Sequence, residues 1–195
     1  MTMTLAQLSA HEEIRQTIYR HFRAGDRLDA DLDREACWDD AVFIGGPLDL
    51  PMSEAISLIY DNMLERYFTV TDHYMANIII DLHGDTAAAE VYAIAYHVLP
   101  TDPEALAAVL GKAKLEELGD AARQTHELSL GIRYAMQLEQ RGELWKIAAQ
   151  KLIIDWSKLA PYTGIDGGVY DFLTLRGTRD RNDPSYEWLS SSRPK

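Results

Sequence analysis

The stretch His73-Tyr74-Met75-Ala76-Asn77-Ile78-Ile79-Ile80-Asp81-Leu82-His83-Gly84-Asp85 decides the fold. From His73 onward β-branched and aromatic residues accumulate, and the Gly-Asp step closing the run is turn chemistry that returns a strand on itself. A second pair of such runs is separated by Arg141-Gly142-Glu143, so the sequence predicts two long hairpins. Strand alternation puts His73, Met75, Asn77 and Ile79 on one face of the first. Between the hairpins, residues 103–125 are rich in Ala, Leu, Glu and Lys, which predicts an inserted helix or helical pair capping one end of the sheet.

Upstream, Ile14, Ile18 and Phe22 recur every four residues and predict a helix over 5–25, with Gly25 as its stop. A second helix is expected over 31–39, capped by Asp29 or Asp31, and Ala41-Val42-Phe43-Ile44 reads as a short strand stopped by Gly45-Gly46-Pro47. A third helix, with Ser53 as its N-cap, is expected over 53–67. Helices followed by a long antiparallel sheet make an α+β domain in which the curved sheet buries one face against the helices and encloses a cavity. Residues 157–195 mix Gly and Pro with Tyr162, Tyr170, Phe172, Tyr186 and Trp188, and read as a mostly irregular extension packed on the domain or on a neighbouring subunit.

The chain has 195 residues, 47% hydrophobic and 26% charged, which fits one globular domain. With 19 Lys+Arg against 31 Asp+Glu the net charge is −12, which argues against nucleic acid as a partner. No apolar run is long enough for a membrane span, and a cytoplasmic location is expected. Cys37 is the only cysteine, so no intrachain disulfide forms, and a small buried hydrophobe is its expected role. Asp29-Ala30-Asp31-Leu32-Asp33 imitates the start of a calcium loop, but Arg34 stands where the loop needs Gly. No two of the six His residues have the helical spacing common at zinc or iron sites, and no glycine-rich phosphate loop is present. Neither a metal nor a cofactor is expected.

Four stretches in order, Arg23-Ala24-Gly25-Asp26-Arg27-Leu28-Asp29, Trp38-Asp39-Asp40-Ala41-Val42-Phe43, Thr71-Asp72-His73-Tyr74-Met75-Ala76-Asn77 and Gly142-Glu143-Leu144-Trp145-Lys146-Ile147 with Asp155-Trp156, resemble the SnoaL-like branch of the nuclear-transport-factor-two-like superfamily. The resemblance covers most of residues 10–156. It implies a domain over 1–156 shaped as a cone, an α+β roll with an apolar pocket, leaving the 101–126 insertion and the 157–195 extension outside. Relatives include dehydratases, a dehydrochlorinase, isomerases, polyketide cyclases and the non-catalytic small subunits of ring-hydroxylating dioxygenases, so the fold alone does not name the reaction. It also implies a homo-oligomer, dimer or trimer.

In the eliminating relatives an Asp near the end of the first helix pairs with a His at the start of the first long strand, and Asp26 and His73 occupy those places. Imidazole titrates near neutral pH, and a carboxylate on its other nitrogen fixes the tautomer and stabilises the imidazolium. Five residues before the aspartate, where relatives carry Tyr or Lys, stands His21, an expected proton donor or else a solvent-facing helix residue. Five residues after Trp145, where the dehydrochlorinase has Arg, stands Gln150; the lost charge favours a hydroxyl leaving group or an enolisation over halide release. Trp38, Tyr19, Asn77 and Trp156 complete the expected substrate-binding set, with ordinary core packing the competing role for both tryptophans. The expected activity is a cofactor-independent lyase or isomerase acting on a small apolar cyclic molecule; the alternative is a non-catalytic binding or scaffold subunit.

Overall fold

A computed structural model describes residues 2–165 and 167–190. Helix α1 (Leu5–Arg27) begins with a reciprocal cap, in which the Gln7 backbone N–H donates to Thr4 Oγ1 and the Thr4 N–H to Gln7 Oε1. Its stripe of Ile14, Ile18 and Phe22 is buried as the periodicity predicts. Each such side chain contributes about 1.5–3 kcal/mol on leaving water. The helix does not stop at Gly25: it runs on to Arg27, and Leu28 takes the left-handed position at φ 49°. Asp26 therefore sits on the last full turn, facing the sheet. Its backbone is fixed by the helix instead of being loose in a loop.

Helix α2 (Ala30–Ala36) starts one residue earlier than expected, with Asp29 accepting the Leu32 N–H as N-cap, and ends three residues earlier. Trp38, Asp39 and Asp40 belong to strand β1 (Cys37–Gly45), because Cys37 pairs in parallel with Ile147 and the strand begins there. After β2 (Leu48–Pro51), α3 (Met52–Ile59) passes without a break through a π turn (Tyr60–Leu64) into a last helical turn (Glu65–Tyr67). Ser53 is not its N-cap: the helix begins one residue before it, behind Pro51, with no side-chain cap.

The two hairpins form as the turn residues predict. β3 (Val70–His83) and β4 (Thr86–Leu99) turn at Gly84, β5 (His126–Arg141) and β6 (Leu144–Pro161) at Gly142, and both glycines have positive φ. The six strands make one open sheet in the order β2-β1-β6-β5-β4-β3, antiparallel except for β1 with β6. Together with the helices this is an α+β fold. Its inner face carries Ala87, Ala89, Val91, Ala93 and Ala95 of β4 against Ile132, Tyr134, Met136 and Leu138 of β5. Of these, Ala95, Ile132 and Tyr134 line a cavity that is also bordered by residues of α1 and α3.

A bulge between Met75 and Ile78 adds one residue to β3, since Met75 pairs with Ala93 but Ile78 with Val91. Alternation flips at that point. Ile78 and Ile80 face inward, Ile79 is exposed, and Asn77 is exposed as well, contrary to the simple alternation from His73.

Residues 103–123 form α4 (Pro103–Leu110), α5 (Lys112–Leu118) and a 3-10 turn (Gly119–Arg123). Leu106 of α4 closes a second small core with Leu64, Phe68 and Leu99 at one end of the sheet. Beyond β6 the chain returns to the end of α1, where α6 (Ser185–Ser190) lies. Tyr186 Oη and Arg181 donate to Asp29, Arg23 donates to Ser185 Oγ, and the Arg179 guanidinium donates to the backbone carbonyls of Leu64 and Phe68. No helix among the described residues is long and apolar enough to cross a membrane.

Candidate active site

Asp26 and His73 meet where the last turn of α1 crosses the start of β3. Asp26 Oδ1 lies 2.6 Å from His73 Nδ1, and Oδ2 accepts the His73 backbone N–H at 3.2 Å. Both side chains are mostly buried. A carboxylate at Nδ1 places the neutral ring's proton there and leaves the Nε2 lone pair free for a ligand. His73 borders a cavity of about 140 Å³. The lining is largely apolar, with Phe22, Phe43, Met52, Ile56, Leu130 and Ile132 among its walls.

A second imidazole–carboxylate pair borders the same cavity. His21 Nδ1 lies 2.5 Å from Asp33 Oδ1, and Tyr60 Oη donates to Asp33 Oδ2 at 2.8 Å. Phe22 stands between the two histidines, its ring centroid 5.6 Å from His21 and 5.5 Å from His73. Burial by itself favours the neutral His21 ring, but the adjacent Asp33 carboxylate overrides it and raises the pKa to about 10. Burial, then Asp33, pushes the Tyr60 phenol upward, so it remains a donor. The Cys37 thiol lies near His21, their ligand atoms within 4.8 Å, and burial raises its pKa too.

His21, Asp33 and Cys37 offer one ligand atom each within 4.8 Å of one another, which invites comparison with a metal centre. Two nitrogen or oxygen ligands on a tetrahedral zinc at roughly 2.0–2.1 Å stand about 3.3 Å apart. At 2.5 Å the His21 and Asp33 atoms are spaced for a shared proton.

His97, on β4, is a third ring on the cavity wall. It stacks on Phe68 with centroids 4.3 Å apart, lies edge-on to His73 at 6.0 Å, and has Nδ1 3.3 Å from Thr71 Oγ1. Burial, followed by the charges of His73 and Arg179, lowers its pKa to about 3, so it is neutral at ordinary pH.

Of the residues singled out from sequence, His73, His21 and Gln150 line the cavity, with Asp26 bonded behind His73. Gln150 is buried and its Oε1 has no hydrogen-bond partner among the described residues. The other four are placed elsewhere. Asn77 is turned outward by the bulge. Tyr19 is 39% exposed on the far side of α1. The Trp38 indole donates to the Glu139 carbonyl and lies beneath Arg141 and Lys146. Trp156 is 47% exposed and covers Gly131, on the sheet face opposite the cavity. Sequence reading missed Asp33, Tyr60, His97 and Tyr134; the run Asp29 to Asp33 held the signal for the first, weighed there only as a calcium loop.

The SnoaL-like domain family matches residues 6–151. This chain belongs to that family. The order of its elements also superposes on solved structures. A hexachlorocyclohexane dehydrochlorinase, LinA type 2, shares 17% identity over 84% of this chain and 96% of its own, with a TM-score of 0.62. A candidate scytalone dehydratase from Novosphingobium aromaticivorans shares 14% over 84% and 94%, also at 0.62. A protein from the same organism described as an aromatic ring hydroxylase candidate shares 18% over 80% and 94%, at 0.59. No curated protein matches the chain. At these identities the SnoaL-like likeness establishes the fold, and the chemistry rests on the residues in the cavity.

Proposed function

We propose that this SnoaL-like protein is a cofactor-independent lyase or isomerase that abstracts a proton α to a carbonyl in a small apolar cyclic molecule, such as a polyketide, steroid or aromatic-catabolism intermediate. The observation that carries the reading is the Asp26–His73 pair, hydrogen-bonded at 2.6 Å on the wall of an apolar cavity. His73 Nε2 takes the carbon-bound proton while Asp26 stabilises the imidazolium. The C–H electrons become the new C=C bond. In an elimination the C–O bond then breaks, its electron pair leaves with oxygen, and His21 donates the proton that makes the leaving group water. In an isomerisation the proton returns to a different carbon.

The reading is tested by hydrogen exchange. A panel of cyclic ketones and β-hydroxyketones in deuterium oxide is expected to exchange its α-protons with wild-type protein, and the β-hydroxyketones to give conjugated enones seen in the ultraviolet. His73→Ala is expected to slow both at least about a hundredfold. Equal rates with His73→Ala overturn the assignment. Exchange at the uncatalysed rate with wild-type protein across the panel favours the non-catalytic binding-subunit reading.

We also propose self-association through the outer sheet face. Tyr74, Ile94, Gly131 and Trp156 lie in one cross-strand row there, and the side chains of Tyr74, Ile94 and Trp156 are exposed. A second copy of the same face covers such a row by two-fold symmetry.

A further inference from the structure

Asp33 is a buried carboxylate with a partner at each oxygen, and these partners come from different elements. His21 reaches Oδ1 from α1, and Tyr60 reaches Oδ2 from the π turn, while Asp33 itself is on α2. All three side chains border the cavity. A purely structural role for this pairing, tying three helices together, would be met equally well away from the cavity wall. The π turn adds to the case: one turn of wider helix in α3 is where Tyr60 is placed, and such turns are frequent at functional sites.

We propose that Asp33 and Tyr60 are positioning residues that fix His21 as the proton donor of the cavity, across Phe22 from His73. This rests on the proposed function above and deepens it. Asp33 orients the ring through Nδ1, and Tyr60 stops the carboxylate from rotating. His21 Nε2–H is then the donor for a ligand oxygen. The titratable groups around the ring are Asp33 from α2, Cys37 from β1, Tyr60 from the π turn, and His73 across Phe22; Lys146 of β6 acts on Cys37. Of these only Asp33 is a near carboxylate, and it dominates the charge state of His21. The cavity thus sets a proton acceptor, His73 Nε2, across Phe22 from a donor, His21, that Asp33 holds charged. That division suits a substrate whose carbonyl or hydroxyl oxygen faces His21 while its acidic C–H faces His73.

The test has one readout that needs no substrate. In 15N-labelled protein, the His21 ring signals, assigned by their loss in His21→Gln, are expected to remain those of an imidazolium beyond pH 8, and in Asp33→Asn to titrate at least about 2 pH units lower, because a buried ring without its carboxylate sheds its charge. The second readout is exchange kinetics. Asp33→Asn is expected to lower kcat and to give a rate that falls as pH rises through the new His21 pKa. Tyr60→Phe, which keeps the ring and removes only the hydroxyl, is expected to lower kcat about tenfold with KM within twofold, the mark of lost aim with intact binding. A His21 that titrates near 6.5 in wild type overturns the proposal. So does exchange lost in His73→Ala but unchanged in both Asp33→Asn and Tyr60→Phe, a result that leaves the His73 reading standing. Exchange that His73→Ala leaves intact overturns the parent reading and this one with it.

Discussion

The Asp26 carboxylate holds His73 at two points, with Oδ1 2.6 Å from Nδ1 and Oδ2 accepting the residue's own backbone N–H. Ring and strand are therefore aligned by one side chain from the last turn of α1. Asp26→Asn retains the shape but has no charge with which to stabilise the imidazolium, and its NH2 competes for the wrong partner. The expected outcome is a loss of α-proton exchange of about 10²–10⁴-fold with an unchanged circular dichroism spectrum. Asp26→Glu, one methylene longer, is expected to be impaired as well, since two simultaneous bonds at these distances leave no slack. Normal exchange in Asp26→Asn would remove the aspartate from the mechanism.

The two histidines with displaced pKa values set opposite limbs of the stability curve. His97, lowered to about 3 from 6.5, binds a proton in the unfolded chain before it does in the fold. Its contribution is present above 6.5 and is lost as pH falls from there toward 3. His21, raised to about 10, contributes fully below 6.5 and loses that contribution as pH rises through 10. Urea midpoints measured from pH 4 to pH 10 are thus expected to fall on both sides of neutrality. His97→Gln flattens the acid side and leaves the alkaline side alone; Asp33→Asn does the reverse.

The parts of the fold legible in the sequence are those written locally. The Ile14, Ile18, Phe22 stripe, the Gly84 and Gly142 turns and the helix-forming composition of 103–123 each specify their element within a few residues. The extra residue in β3 was not legible, because Ala76-Asn77 carries no bulge signal of its own and its register is set by β4. The site divides in the same way. Asp26 and His73 lie 47 positions apart and came from the family pattern. Asp33 with Tyr60, and Asp29 with Tyr186, are bonds between helices or tail segments whose docking only the three-dimensional fold supplies. Trp38 and Trp156 mark the limit of the family pattern, which leaves both cavity lining and ordinary packing open for them: one packs under two cations and the other covers a glycine on the outer face.

That outer face gives a prediction about assembly. Tyr74, Ile94 and Trp156 stand in one row across β3, β4 and β6, with Gly131 of β5 as the floor on which the indole lies. Sedimentation equilibrium of the wild type is expected to show a mass above that of a single chain. Ile94→Glu, which puts a charge in the middle of the row and does not touch the cavity, is expected to shift the protein to the single-chain mass. A wild-type protein with the mass of one chain at micromolar concentration would sink the self-association proposal.

The tail supplies the last prediction, through Asp29. This carboxylate caps α2 by accepting the Leu32 N–H, and the tail adds two further donors, Arg181 and Tyr186. Burial alone would raise its pKa, but the hydrogen bonds from Tyr186, Leu32 and Arg181 win and hold it below the ordinary carboxylate value. A depressed carboxylate contributes stability above its unfolded pKa, near 4, and loses it as pH falls further. Asp183 is held down in the same way by Ser185 and the Thr178 N–H, with Arg27 nearby, so the tail carries a second carboxylate of the same kind. Arg181→Ala with Tyr186→Phe strips the added donors from Asp29 and leaves its cap on α2 intact. The double variant is expected to lower the urea midpoint at pH 7 and to shrink the difference between pH 7 and pH 3, because less of the stability then depends on an ionised Asp29. If the variant loses the same stability at both pH values, the tail is held by packing alone and the charge on Asp29 has no part in docking it.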